Sequence, residues 1–240
     1  MTETSGKIMT TPTKNTSTGK APGNRPGRPK GTNTEATRQR ILDAAEVLFS
    51  ENSFNGVTIR QIAKLSAVDT ALLHYHFGNK HSLLETVFER RAHILNNERM
   101  DALNHYDNAH IQPTTEGAIK AFIGPLLEKA TSGDKHWKYY FALVAQVNNT
   151  PELGGDIMHR HFDPVVQRML DIIQKALPEA DRGDLYWSFQ LFSGAIMLTL
   201  SQSGRVDRLS NGLCNSEDLV AAFDRLIPFA TAGFEAVCKK

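Results

Sequence analysis

Apolar residues recur along most of this chain at the spacing of an α-helix. The first clear case follows Thr34, where positions i, i+4, i+7 and i+8 are apolar, namely Ile41, Ala45, Leu48 and Phe49. Positions with this spacing share one face of a helix. No run of residues alternates between apolar and polar over the length of a strand. The pattern therefore predicts an all-α fold.

Turn-forming residues divide the helical pattern into nine segments. Asn, Ser and Gly cluster at residues 52–56, and later breaks fall at or near Pro113, Pro151, Pro178 and Gly212. The predicted helices cover residues 34 to about 52, 58–65, 69–77, 80–103, 114–131, 136–148, 155–177, 181–204 and 215–238.

The second and third predicted helices lie close together and have clear N-terminal signals. Thr58 and Gln61 form a capping box, in which the hydroxyl accepts from a backbone N–H and the glutamine reaches back. Asp69 is a typical N-cap for the third helix, and residues 66–68 form the turn between the two. Two short helices joined in this way, with an apolar helix on either side, have the layout of a helix-turn-helix. The spacing alone leaves open an αα-hairpin without a DNA-binding role.

The third predicted helix has a polar face and an apolar face. A helix that enters the major groove of DNA, which is about 12 Å wide, has to present small or polar side chains outward. The outward candidates are Asp69, Thr70, Ala71, His74 and Tyr75, whereas the residues predicted to face the core are Val68, Leu73 and Phe77.

Charge is concentrated at the N-terminus, although the whole chain has a net charge of only +1. Residues 1–33 contain six basic residues and one acidic residue, are rich in Thr, Pro and Gly, and are predicted to be a disordered basic arm. Residues 25–31 resemble the core of an AT-hook, which predicts that Arg28 enters an A·T minor groove. A flexible basic linker is the alternative for the arm.

Seven short segments between residues 38 and 91 carry a family pattern: 40–45, 48–49, Phe54, 57–63, Val68, 73–80 and 83–84. With this spacing, the stretch resembles the DNA-binding domain of the tetracycline-repressor (TetR) family. The resemblance implies that Thr58 and Lys80 contact phosphate at helix ends, and that Tyr75 contacts phosphate or base. The predicted DNA-binding residues are Arg28, Thr58, Arg60, Thr70, Ala71, His74, Tyr75 and Lys80.

Three positions depart from the family pattern, and they bear mainly on which operator is recognised. Ala67 occupies a turn position where the family usually has glycine, and a left-handed backbone there costs of order 1 kcal/mol. Asp69 replaces a frequent serine, and although it caps a helix well, its charge repels nearby phosphate. His74 replaces a common tyrosine or asparagine.

The C-terminal half has the apolar helices that a dimerisation domain requires. Residues 185–200 are apolar on nearly every side, so a helix there has to be covered all round. Residues 219–237 have one apolar stripe, formed by Leu219, Phe223, Leu226, Ala230 and Phe234. Two such helices from each chain predict a four-helix dimer interface. The predicted domains are the arm at 1–33, the helix-turn-helix domain at 34–95, and an effector-binding and dimerisation domain at 96–240.

Aromatic and methionine residues of this half predict an effector pocket for an apolar molecule. The candidates are Phe122, Leu126, Trp137, Tyr140, Phe141, Val144, Phe162, Met169, Phe189 and Phe192. Ordinary core packing is the alternative for each of them. Residues 139–176 with the last two helices loosely resemble PsrA-type regulators, which respond to fatty acids.

Other classes of function find little support in the sequence. No nucleophile elbow, phosphate loop or HExxH motif is present, so an enzyme is not predicted. His159 and His161 are two positions apart on a helix and point about 200° apart, and no metal or other cofactor is predicted. Without a signal peptide or a membrane span, a cytoplasmic protein with no membrane partner is expected.

The predicted function is a dimeric transcriptional repressor that binds a palindromic operator and is released by a small, apolar effector. An architectural DNA-binding protein that uses the arm alone is a weaker alternative, because it would not need a large apolar C-terminal half. An activator stays open, since binding alone does not fix the sign of regulation.

Overall fold

The computed structural model describes residues 30–238, and within that range the chain forms ten α-helices and no strand. They are α1 (Lys30–Gly56), α2 (Ile59–Ser66), α3 (Thr70–Phe77), α4 (Lys80–Ala109), α5 (Thr115–Thr131), α6 (Lys135–Asn148), α7 (Pro151–Ala176), α8 (Arg182–Leu200), α9 (Arg205–Leu209) and α10 (Leu219–Cys238). The prediction of an all-α fold is confirmed. Most of the basic arm, with Arg28, lies outside the described residues, and α1 begins four residues before the predicted start at Thr34.

Several other helix boundaries differ from the sequence prediction. α4 continues beyond Leu103 because its last turns make polar contacts with α7, where Arg168 Nε donates to Asn104 Oδ1 at 2.7 Å. α7 begins at Pro151, which favours the first turn of a helix because its missing N–H would have no partner there. The eighth predicted helix ends at Leu200, and the short α9 that follows buries none of its residues, so no apolar spacing announced it.

α4 connects the N-terminal helices to the C-terminal ones. The first three helices pack around Phe49, Ile62 and Leu73, all of which are buried. α4 packs against α1, α5 and α7, and its 30 residues span about 45 Å at 1.5 Å per residue. The predicted domain boundary near residue 95 therefore falls in the middle of one continuous helix.

The C-terminal helices form a layered bundle around a continuous apolar core. α8 packs against α10, α10 also packs against α5, and α6 packs against both α1 and α7. Within residues 30–238, no helix is long and apolar enough to cross a membrane. In the same range, no three His, Cys, Asp or Glu side chains converge as metal ligands would.

Candidate DNA-binding surface and effector region

Both helices of the α2–α3 pair begin with the predicted caps. Thr58 Oγ1 accepts from the Gln61 N–H at 3.3 Å, and Gln61 Oε1 accepts from the Thr58 N–H at 2.7 Å. Asp69 Oδ1 accepts from the Ala71 N–H at 2.7 Å. The capping predictions are thus confirmed. The Thr58 hydroxyl donates to Gln61 Oε1 at 2.8 Å and the Asp69 carboxylate can only accept, so in this conformation a phosphate contact at the two helix starts falls to backbone N–H groups.

The turn between α2 and α3 is a Schellman motif. Val68 N–H donates to Ala63 O at 3.1 Å, and Ala67 N–H donates to Lys64 O at 3.3 Å. Ala67 has φ 53° and ψ 47°, so the left-handed backbone considered from the sequence is present. A non-glycine residue pays a steric cost in this conformation because its Cβ crowds the backbone.

Ala67→Gly should therefore raise the free energy of unfolding by about 1 kcal/mol, since glycine adopts the left-handed conformation without that crowding. Thermal unfolding followed by circular dichroism should show a melting temperature higher by about 2–4 °C. The control is Ala71→Gly, which makes the same change at an exposed position inside α3 and should be destabilising. A lower melting temperature for both variants would contradict the strain assigned to Ala67.

α3 has the two faces that the sequence predicted. Leu73 and Phe77 are buried, while Ala71 and His74 are exposed and Tyr75 is 80% exposed. Of the other predicted DNA contacts, Arg60 is exposed on α2 and Thr70 is half-buried at the start of α3. The exposed residues of α3 are small or polar except for Leu72, which is 40% exposed, and the ring of Tyr75.

His74 has one ring nitrogen fixed within the protein. Its Nδ1 lies 2.8 Å from the Gly78 carbonyl oxygen, and because that oxygen can only accept, Nδ1 carries the proton and donates. Nε2 is then the nitrogen that an external group can meet, as an acceptor while the ring is neutral. This fixed tautomer favours a hydrogen-bond donor as the partner of His74.

Lys80 is bound to the protein itself, which the sequence did not reveal. Its Nζ donates to Phe54 O and Val57 O, both at 3.0 Å, and lies 4.2 Å from the centre of the Phe54 ring. The side chain therefore ties the start of α4 to the connection between α1 and α2. A phosphate contact by its remaining N–H stays a prediction, and replacing Lys80 would disturb the domain as well as that contact.

The ten predicted effector residues lie together in the interior. Nine of them are buried and Phe189 is half-buried against the same core. Phe122 contacts the rings of Phe189 and Phe192, and Trp137 contacts those of Tyr140 and Phe141. The groove that the structure has on α7 is lined by other residues, among them Asp156, His159 and Arg160. The ten residues are packed as core in this conformation, and their role as a pocket stays a prediction.

Arg99 is a buried cation within this interior, and sequence analysis did not single it out. The residue is 3% exposed, and its Nε donates to Phe122 O at 3.1 Å while the guanidinium lies 4.2 Å from the centre of the Phe122 ring. Burial lowers the pKa of Arg99 to about 10, which keeps it charged at neutral pH. The sequence does contain a sign that Arg99 is buried, because it lies between Leu95 and Leu103 at the four-residue spacing of one apolar helix face.

A buried ion-pair cluster joins the DNA-binding helices to the C-terminal ones. The Glu46 carboxylate on α1 is 1% exposed, and it lies 2.7 Å from Arg91 Nε and 3.0 Å from Arg90 Nη2, both on α4. His136 Nδ1 on α6 lies 2.8 Å from the same carboxylate. Four residues from three helices thus meet at one buried charge, and this set is called the Glu46 cluster below.

α8 and α10 leave a large apolar surface exposed. Trp187, Leu191 and Leu198 on α8 are each at least 67% exposed, and Phe229 on α10 is 72% exposed. Gly194 continues the α8 stripe, with no atom within 4 Å of the position a Cβ would take. These five residues define the α8–α10 face.

The apolar stripe of α10 that the sequence predicted to form the dimer interface is not part of the α8–α10 face. Leu219, Phe223, Leu226, Ala230 and Phe234 are all buried within their own chain, because α10 packs against α5 and α8. The expectation that this stripe meets a partner chain is therefore wrong, and the opposite side of the helix is the exposed one.

Two family models match this chain. One, described as "Bacterial regulatory proteins, tetR family", matches residues 41–87, and the other, "Tetracyclin repressor-like, C-terminal domain", matches residues 120–233. The HTH-type transcriptional regulator UidR of Escherichia coli (strain K12) is 32% identical over 150 residues, which cover 60% of this chain and 70% of UidR. The chain belongs to the TetR family of transcriptional regulators.

Two further relatives extend the comparison. The negative transcriptional regulator IcaR of the biofilm operon icaADBC of Staphylococcus epidermidis is 30% identical over 125 residues, 51% of this chain and 60% of IcaR. The crystal structure of the transcriptional regulator FadR from Bacillus subtilis in complex with stearoyl-CoA has a TM-score of 0.54 at 17% identity, covering 82% of this chain and 98% of that one. The FadR likeness shows a shared fold.

The family assignment confirms the resemblance drawn from residues 38–91. The assignment of individual residues to DNA or effector stays a prediction. Arg99 lies between the two matched ranges, and no family pattern drew attention to it. Arg90, Arg91 and His136 also lie outside the residues 41–87 that carry the helix-turn-helix match.

Proposed function

We propose that this TetR-family chain is a repressor that binds a palindromic operator as a dimer and releases it when a small apolar effector enters the C-terminal domain. The observation that carries the proposal is the exposed face of α3, a short helix capped at its start and presenting Tyr75, His74 and Ala71. Such a helix fits the major groove, and its neighbours provide N–H groups and positive charge toward phosphate.

Dimerisation follows from the small size of this surface and from the α8–α10 face. One two-turn helix contacts only a few base pairs, so sequence-specific binding requires a second copy placed one turn of DNA away, about 34 Å. Large exposed apolar patches on a protein mark interaction sites. A second copy of this chain, pairing its own α8 and α10 about a two-fold axis, covers the α8–α10 face on both chains at once.

Repression and release by an effector are supported by the relatives and by the connection through α4. IcaR is named as a negative regulator, and FadR, which shares this fold, is described in complex with stearoyl-CoA. The predicted effector residues pack against α4, whose first residue holds the α1–α2 connection. A ligand that shifts α4 therefore changes the spacing of the two α3 helices in the dimer. It can lower operator affinity only by the factor by which it binds the conformation that does not bind DNA more tightly than the one that does.

Tyr75→Ala tests the DNA-binding surface. We expect operator affinity to fall about tenfold to a hundredfold, which is the loss typical of one direct contact. The fold should be unaffected, because the ring is 80% exposed and its ring contact is with His76. Fluorescence anisotropy measures binding to an operator that the native protein has selected from a random-sequence pool.

The matched control for Tyr75→Ala is Leu209→Ala, which removes a 78% exposed apolar side chain from α9. It should bind the same operator as the native chain does. Equal affinities for native protein and Tyr75→Ala at physiological salt would exclude this face of α3 as the DNA-binding surface.

A further inference from the structure

Arg99 carries a charge that the protein does not neutralise. Among residues 34–238 with described side chains, no carboxylate lies within ion-pair distance of its guanidinium, and its hydrogen bond goes to the neutral carbonyl of Phe122. A buried cation without a counter-ion is costly, and an apolar residue of similar volume would avoid that cost. The hydrogen bond and the ring contact with Phe122 therefore leave the charge of Arg99 without a counter-ion.

Tyr140 supplies a buried polar group without a partner in the described part of the chain. Its hydroxyl is buried and makes no hydrogen bond within the described part of the chain. Burial raises the pKa of Tyr140, so the group stays a neutral donor. Its helix, α6, packs against α4, which carries Arg99, and the charge of Arg99 acts to lower the same pKa. A cation that no carboxylate pairs with and an O–H donor without an acceptor, both within the described part of the same apolar interior, make a set that an anion would satisfy.

Aromatic rings surround this pair of groups. The Phe88 ring lies 5.7 Å from the rings of Tyr140 and Phe162, and Phe122 stacks against the Arg99 guanidinium. His161 is close by, its ring also 5.7 Å from that of Phe88, and burial lowers its pKa so that it adds no second positive charge. One cation suits a single negative charge, which favours a carboxylate over a doubly charged phosphate ester.

We propose that the effector is an apolar carboxylic acid whose carboxylate is bound by the Arg99 guanidinium and the Tyr140 hydroxyl, with its apolar body among the surrounding aromatic rings. This inference rests on the proposed function, since it names the class of molecule that enters the effector region. Guanidinium and carboxylate form paired, charge-assisted hydrogen bonds, and binding would neutralise a charge that the empty protein leaves buried. Arg99 lies on α4, so the acid contacts the helix that leads to the DNA-binding domain.

The direct test compares acids with alcohols of the same shape. The probes are straight-chain alkanoic acids from hexanoic to hexadecanoic acid, with 4-phenylbutanoic acid, and the corresponding primary alcohols, titrated by calorimetry into the full chain. Native protein should bind the best acid about tenfold to a hundredfold more tightly than its alcohol, the factor that a charge-assisted hydrogen bond provides. Equal affinities for acid and alcohol, or no binding of any acid, would overturn the proposal.

Three variants assign the preference to the two residues. Arg99→Met should bind acid and alcohol equally, Arg99→Lys should retain part of the preference, and Tyr140→Phe should reduce it by roughly tenfold. Retention of the full preference in Arg99→Met would overturn the proposal. If Arg99→Met does not fold, acid and alcohol are compared in Arg99→Lys and Tyr140→Phe instead. An unchanged preference for the acid in both of these variants would also overturn the proposal.

Thermal unfolding separates this role from a merely structural one. Arg99→Met should melt about 2–4 °C above the native chain without ligand, because it removes an uncompensated buried charge. A structural arginine would instead lower the melting temperature when replaced. If acids and alcohols bind the protein with equal affinity and both release operator, the carboxylate site is overturned and the proposed function stands. If the protein binds acids in preference to alcohols but does not bind operator, only the proposed function is overturned.

Discussion

Leu191→Glu should leave the chain monomeric and weaken operator binding about 10²- to 10⁴-fold. Leu191 is 68% exposed in the middle of the α8–α10 face, so in the proposed dimer a glutamate there buries an unpaired charge against the partner chain. A monomer has one α3 helix and contacts one operator half-site. In a dimer, binding of the first half-site raises the effective concentration of the second α3 helix at the other half-site, and the loss of this effect accounts for the large drop in affinity.

Sedimentation velocity should show the mass of one chain for Leu191→Glu and of two for the native protein, with operator binding measured on the same samples. The control is Ile111→Glu, which adds the same charge to a fully exposed apolar residue in the α4–α5 connection. That variant should stay dimeric and bind operator normally. A dimeric Leu191→Glu would exclude the α8–α10 face as the interface.

The sequence predicted those parts of the fold that local chemistry decides. The capping box at Thr58, the N-cap at Asp69 and the buried pair Leu73 and Phe77 depend on residues within one turn of each other. The strained backbone at Ala67 was likewise visible from a departure in a short pattern. Such features do not depend on which distant helix packs nearby, so their residue spacing is enough.

Features that depend on a distant partner could not be predicted in the same way. The apolar stripe of α10 was recognised, but spacing cannot tell whether its own chain or a second copy covers it. Lys80 was assigned to phosphate from its place at a helix start and from the family resemblance. The two carbonyls that hold it are 23 and 26 residues away in the sequence, so local spacing gave no sign of them. Arg99 is recognisable in the sequence only as a charged residue on an apolar stripe. Its proposed role also requires Tyr140, which lies on another helix and could not be placed near it from spacing.

The Glu46 cluster is the clearest example of such a distant association, since its members lie 45 and 90 residues apart along the chain. The Glu46 carboxylate, which is 1% exposed, lies between two arginines of α4 and a histidine of α6. Gln146 Nε2 on α6 also donates to Ser50 O on α1 at 2.7 Å, so this junction has two polar links. Through them, α4 and α6 are tied to the first helix of the DNA-binding domain.

Glu46→Ala should lower the free energy of unfolding by about 3 kcal/mol, because removing the buried carboxylate takes away the ion-pair partner of Arg91 and leaves Arg90 with the exposed Asp43. Arg90 and Arg91 keep some contact with solvent, at 20% and 15% exposure, which places the expected loss at the lower end of the range for buried pairs. The melting temperature should fall by about 6–12 °C.

The matched control is Asp43→Ala, which removes another α1 carboxylate from the same Arg90, at 2.7 Å but with 52% of the side chain exposed. Exposed pairs contribute little, so this variant should lose less than about 1 kcal/mol. Chemical denaturation of the two variants and the native chain measures both losses under one set of conditions. Similar, small losses of unfolding free energy for Glu46→Ala and Asp43→Ala would show that the buried position of Glu46 does not make its ion pairs more stabilising than the exposed pair. A large loss confined to Glu46→Ala would mean that this one carboxylate holds α1 of the DNA-binding domain to α4 and α6, the helices that carry Arg99 and Tyr140.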